Sequence, residues 1–98
     1  MNQEVINKYL DMLGLQGRGE VIYDDTNNVD KLVINLKNSN EFARTYTLLD
    51  NADWLTLDDG DLSIQDERSN LMYINDEVSF NLKANLLEDK YILEIEEL

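Results

Sequence analysis

The spacing of hydrophobic positions changes once along this chain, near Gly17. Before it, Val5, Ile6, Tyr9, Leu10 and Leu13 recur three and four apart, which lines one face of an α-helix. Asn2 offers a side-chain oxygen to the free N–H groups of the first turn. Gly14 falls where a left-handed residue ends a helix, and Gly17 and Gly19 loosen the chain beyond it. From Glu20 onward the period is two. Val21 to Tyr23 predicts a short strand, and Asp24 to Asp30 a polar turn with Asn27 and Asn28 at its tip. Leu32, Ile34 and Leu36 alternate with Val33, Asn35 and Lys37; Phe42, Arg44, Tyr46 and Leu48 alternate with Ala43, Thr45, Thr47 and Leu49. With Asn38-Ser39-Asn40 as the turn, residues 31–49 read as an antiparallel hairpin. A helix over 40–53 capped by Ser39 is the alternative, against which the Thr45-Tyr46-Thr47 run favours a strand.

Further on, Asp58-Asp59-Gly60-Asp61 lies between Leu55/Leu57 and Leu62/Ile64, a hairpin signal. Leu71 to Ile74 and Glu77 to Lys83 flank a second tight turn at Asn75-Asp76. Tyr91, Leu93 and Ile95 oppose Ile92, Glu94 and Glu96 in a last strand. The expected fold is α+β: one domain over residues 1–98, an N-terminal helix followed by a mainly antiparallel sheet of about five to seven strands.

Composition supports folding and narrows the chemistry. The 98 residues are 43% hydrophobic, with five Tyr, two Phe and Trp54, unlike an acidic disordered tail. Twenty-one acidic against eight basic residues give a formal charge of −13. A magnitude of roughly 2 to 8 suffices for solubility in a small domain, so the excess points to a partner. Nucleic acid and anionic membranes demand Lys and Arg and are expected to be repelled; basic protein surfaces are expected to be attracted. No apolar run reaches the length of a membrane span, and the N-terminus lacks the pattern of a signal peptide.

There is no Cys and no His. That removes disulfides, thiolate nucleophiles, the commonest general base and the usual zinc and Fe–S ligands. Gly14, Gly17 and Gly19 lack the Lys-Ser/Thr of a phosphate loop, and the Asp58–Asp61 stretch lacks the spacing and terminal Glu of an EF-hand. A looser Ca²⁺ site there is the remaining metal alternative. The expectation is a protein without catalytic residues, cofactor or metal.

The acids are unevenly placed. Asp50, Asp53, Asp58, Asp59, Asp61, Asp66 and Glu67 follow one another without an intervening Lys or Arg, and Glu88, Asp89, Glu94, Glu96 and Glu97 enclose only Lys90. Like charges so concentrated repel one another. Carboxylates two apart on a strand stand about 6.6 Å apart, close to the phosphate spacing along one nucleic-acid strand. The expected partner-binding residues are therefore Asp58, Asp59, Asp61, Asp66 and Glu67, with Glu94 and Glu96 as a second group. Trp54, inside the first run, is either a core aromatic or an interface anchor.

In size, acidity, lack of Cys and helix-then-sheet order the chain resembles the small acidic proteins that phages use against host defences. These are anti-CRISPR proteins and inhibitors of DNA-processing enzymes, several of which look like DNA to their targets. It is similar in kind to the acidic immunity proteins that neutralise nuclease toxins. The resemblance rests on general character, carries no motif, and implies a non-enzymatic, cytoplasmic inhibitor. Such an inhibitor would cover the nucleic-acid-binding surface of a basic enzyme. A small structural or assembly protein, dimeric through an edge strand and acidic for solubility, is the alternative.

Overall fold

A computed structural model describes residues 2–23 and 30–98. Helix α1 (Gln3–Leu13) follows the pattern that predicts it: Ile6, Tyr9, Leu10 and Leu13 are buried on one side. Asn2 caps it through Oδ1, which accepts from the Glu4 and Val5 N–H groups. Gly14 ends it at φ +68°, donating its N–H to the Asp11 carbonyl.

Strands β1 (Glu20–Tyr23), β2 (Asp30–Asn35), β3 (Thr56–Ser63), β4 (Arg68–Ile74), β5 (Val78–Asn85) and β6 (Lys90–Glu97) form one antiparallel sheet in the order β1-β2-β6-β5-β4-β3. The fold is α+β, as the pattern predicts. The polar turn expected over Asp24–Asp30 lies, apart from Asp30 in β2, outside the described residues. In β5 and β6, alternate residues turn to one face, so that Val78, Phe80, Leu82, Ala84, Tyr91, Leu93 and Ile95 are buried. The β4–β5 turn falls where expected: Asn75 Oδ1 accepts from the Glu77 and Val78 N–H groups, each at 2.8 Å.

Two expectations are corrected. Residues 31–49 are not a hairpin. After β2 the chain forms a second helix, α2 (Ser39–Asp50), which is the alternative reading, although Asn38 rather than Ser39 is its cap. Asn38 Oδ1 accepts from the Glu41 N–H at 2.9 Å, and Glu41 Oε1 accepts from the Lys37 N–H at 3.1 Å, so two free donors are satisfied reciprocally. Phe42, Thr45 and Leu49, at helical spacing, pack inward, whereas Tyr46 and Leu48 of the apparent alternation are exposed. The second correction concerns Asp58-Asp59-Gly60-Asp61. It is not a turn but the middle of β3; the connection to β4 is Ile64–Glu67. A two-residue Asp-Gly turn needs left-handed backbone. The left-handed φ values here fall instead on Glu67 (50°) and, in the β5–β6 turn, Asp89 (54°), and Gly60 is not among the positive-φ glycines.

Both helices lie on the same face of the sheet. Tyr9 of α1 stacks near Phe80 of β5 (centroids 5.6 Å), and Phe42 of α2 meets Tyr91 of β6 (5.4 Å). Among the described residues the opposite face carries no helix. Among the described residues no helix is long and apolar enough to cross a membrane.

Candidate functional site

Of the denser run of acids, Asp58, Asp59 and Asp61 lie on the sheet edge, whereas Asp50 ends α2 and Asp53 lies in the loop that follows it. Among the described residues β3 pairs with β4 alone, from Thr56 opposite Ile74 to Ser63 opposite Arg68, with a bulge between Leu57 and Asp59. Directly opposed residues share a face, so the register sorts the side chains. Leu57 faces buried Tyr73, Gly60 faces Leu71 and Leu62 faces Ser69, all on the helix side. Asp59 faces Met72 and Asp61 faces Asn70 on the open side. Asp58 is the extra residue of the bulge.

Beyond β3 the connecting turn adds Asp66 and Glu67. Ser63 and Asp66 close it reciprocally: the Asp66 N–H donates to Ser63 Oγ and the Ser63 hydroxyl to Asp66 Oδ2, each at 3.3 Å. The Leu86 N–H donates to the Glu67 carbonyl at 3.0 Å, which holds this turn beside the β5–β6 turn bearing Glu88 and Asp89. Among the described residues, none of Asp58, Asp59, Asp61, Asp66 and Glu67 forms an ion pair, and all five are exposed. The first group of expected residues is thus brought together, along one edge and its turn.

Glu94 and Glu96 are not part of that edge. They lie on the open face of central strand β6, and Glu94 sits between two lysines, 2.6 Å from Lys31 Nζ of β2 and 2.7 Å from Lys83 Nζ of β5. Its side chain is only 12% exposed. Burial alone would push the Glu94 carboxyl up, but the two ammonium groups outweigh it and hold the group below its ordinary value. As a free negative contact Glu94 is therefore withdrawn: its charge is spent on joining three strands.

Trp54 also lies apart. It sits in the loop between α2 and β3, half-buried, with its ring 5.2 Å from Tyr9 and 6.0 Å from Phe80 (centroid to centroid). The indole packs against the core aromatics and extends the core.

Other shifted groups are clamps of the same kind. Tyr9 donates to Glu77, which also receives Lys8 at 3.0 Å; burial, then this bond, pushes the Tyr9 phenol up, while Tyr9 and Lys8 hold the Glu77 carboxyl down. Glu41 meets Arg18 at 2.7 Å, which offsets burial and keeps its carboxyl low. Burial, then the bond to Asp50 at 3.0 Å, raises Tyr73. Each ties a helix to a strand or loop, and none opens on a cleft.

Two depressions flank β3 and β4. The one on the open face, about 490 Å³, mixes Arg68, Lys83 and Lys90 with Asp61, Asp66 and Glu88. The other, about 420 Å³, is on the helix side and mainly apolar, lined by Phe42, Leu62, Ile64, Ala84 and Leu86, with Glu67 and Arg68 also in its wall. Of its lining, Leu62, Ile64 and Leu86 are 69%, 82% and 52% exposed, and Leu57 on the same face of β3 is 52% exposed. Periodicity places Leu57 and Leu62 on strands but cannot show that no helix covers them. Among the described residues no group of three carboxylates is placed to hold a metal ion.

No family model, curated protein or solved structure matches the chain.

Proposed function

We propose that the chain is a non-enzymatic acidic binding protein that docks its β3 edge and adjoining turn on a basic surface of another protein. One observation carries this: among the described residues the aspartates of β3 are exposed and form no ion pair, while Glu41, Glu77 and Glu94 elsewhere are each paired with Lys or Arg. A fold that pairs these three carboxylates and groups five unpaired ones along one edge and its turn concentrates negative charge there. The target class fitting this field is the nucleic-acid-binding surface of a defence or DNA-processing enzyme, of the kind that phage-encoded anti-CRISPR and DNA-mimic inhibitors cover. Occupancy would exclude nucleic acid, and encounter would be electrostatically steered.

The test is a pull-down from host lysate eluted with a salt gradient, followed by competition on the purified target. Binding should weaken steeply with salt, and double-stranded DNA should displace the protein. Equal binding to a target already saturated with DNA would reject the groove-covering reading.

A further inference from the structure

We infer that β3 and the apolar groove beside it form a strand-addition site for an extended peptide segment of the partner in which Lys or Arg alternates with apolar residues. This deepens the reading above, and rests on it, by naming how a basic partner engages the acidic edge.

The backbone supplies the first argument. One side of β3 bonds to β4; on the other side, among the described residues, no strand pairs with it. Exposed edges are templates for another strand, and proteins usually blunt them by shortness, proline, charged side chains or a bulge. The opposite edge, β1, is short at four residues. β3 has eight residues, no Pro and no Lys or Arg; its bulge lies at Asp58 and leaves Asp59–Ser63 in regular register, and its charges, all negative, oppose a like edge and admit a basic one.

The side chains supply the second. A strand added to β3 would lie about 4.8 Å beyond it, with alternate residues on opposite faces. On the helix side these would meet Leu57 and Leu62 and reach the groove formed with Phe42 and Leu86. Gly60, between the two leucines on that face, has no side chain of its own, and Leu71 leans into the space, its Cδ2 3.1 Å from where a Cβ would stand. On the open side the added residues would meet Asp59 and Asp61. Apolar on one face and cationic on the other is the pattern this edge accepts.

Charge also decides against a second copy as occupant. Two β3 strands paired antiparallel about Gly60 would set Asp59 of each against Asp61 of the other. Directly opposed side chains in a sheet have Cβ atoms about 4.5–5.5 Å apart, and like charges there destabilise the pair. A basic segment turns the same two positions into attraction.

The experiment uses the whole protein and two synthetic octapeptides of one composition, Lys-Val repeated four times and Lys-Lys-Val-Val repeated twice. Backbone amide NMR follows titration and hydrogen exchange. The alternating peptide should bind at least tenfold more tightly and slow exchange at β3 amides, with the largest shifts along residues 56–63. Leu62→Ser should weaken it without altering the salt dependence, and the pair Asp59→Asn with Asp61→Asn should flatten that dependence. Equal binding of the two peptides, or binding without β3 protection, would overturn strand addition. A basic protein that binds in competition with DNA but leaves β3 exchange unchanged would do the same, with the acidic-edge reading intact. If neither peptide nor basic protein binds in a salt-dependent way, both fail. Sedimentation showing a dimer of the protein alone that Leu62→Ser dissolves would replace the peptide by a second copy.

Discussion

Replacing Glu94 by Gln separates structural from displayed charge. The amide keeps the shape of the carboxylate but loses its charge to Lys31 and Lys83, which lie 2.6 and 2.7 Å away on two neighbouring strands. The lysine side chains are 33% and 42% exposed, so water screens part of each attraction, whereas the carboxylate is 12% exposed. Discounted for that screening, the two contacts together contribute about 1–2 kcal/mol. For a domain of this size that lowers Tm by about 5–15 °C. The difference should depend on pH in one direction. Because folding holds the Glu94 carboxyl below its ordinary value of 4.5, its contribution is present above that value. It is lost as pH falls through the lower folded value. Thermal melts of both proteins should therefore differ most near neutrality and converge in acid. Partner binding should change little, since Glu94 is not on the bare edge. Equal Tm values at neutral pH, or a gap that persists unchanged in acid, would refute the bridging argument. A loss of binding as large as that caused by the β3 substitutions would return Glu94 to the contact surface.

Other outcomes can be checked alongside. Replacing Asp58, Asp59 and Asp61 by Lys should leave far-UV circular dichroism unchanged, because all three are exposed on an edge strand, and should abolish binding to a basic partner. Retained affinity would leave the cluster a solvated edge. Gly19→Ala should destabilise by about 2 kcal/mol or more in urea titration, since φ is +111° and the new Cβ would lie 2.8 Å from Leu32 Cγ. Gly14→Ala, at φ +68° with only the Arg44 guanidinium at 3.6 Å or beyond, should cost about 1 kcal/mol. Millimolar EDTA or Ca²⁺ should leave Tm unmoved, and a Ca²⁺-dependent rise of several degrees would promote the β3 aspartates to a metal site.

How far the sequence reveals this fold depends on whether local signals agree. In α1 the cap at Asn2, the apolar spacing and Gly14 all point one way, and the helix forms as read. β5 and β6 alternate cleanly because one face is buried and the other open. In α2 the signals conflict. Tyr46 and Leu48 feign a strand, yet both lie on the exposed side; the informative residues are Asn38 and Glu41, spaced as a cap, with Phe42, Thr45 and Leu49 behind them. At Asp58–Asp61 a turn-forming dipeptide is overridden by pairing along eight residues, with a bulge absorbing the mismatch. The acidic run is visible as a run, but its lack of cations is not. Nor is the neutralisation of Glu94, because Lys31 and Lys83 reach it only through the β2–β6 and β5–β6 registers.

The strand order has a consequence for how the chain comes to be folded during synthesis. β3, β4 and β5 follow one another and pair with their sequence neighbours, so this meander can close as soon as it leaves the ribosome. β1 and β2, made earlier, have no place in the sheet until β6 arrives to pair with β2 on one side and β5 on the other. β6, which follows the other five in the chain, is therefore the keystone of the sheet. Until it emerges, the apolar face of the N-terminal hairpin and α1 must wait uncovered, and such long-range closure is intrinsically slow. A nascent chain whose β6 has not yet emerged should thus be a ready client for holding chaperones, whereas one whose β6 has emerged and paired should not.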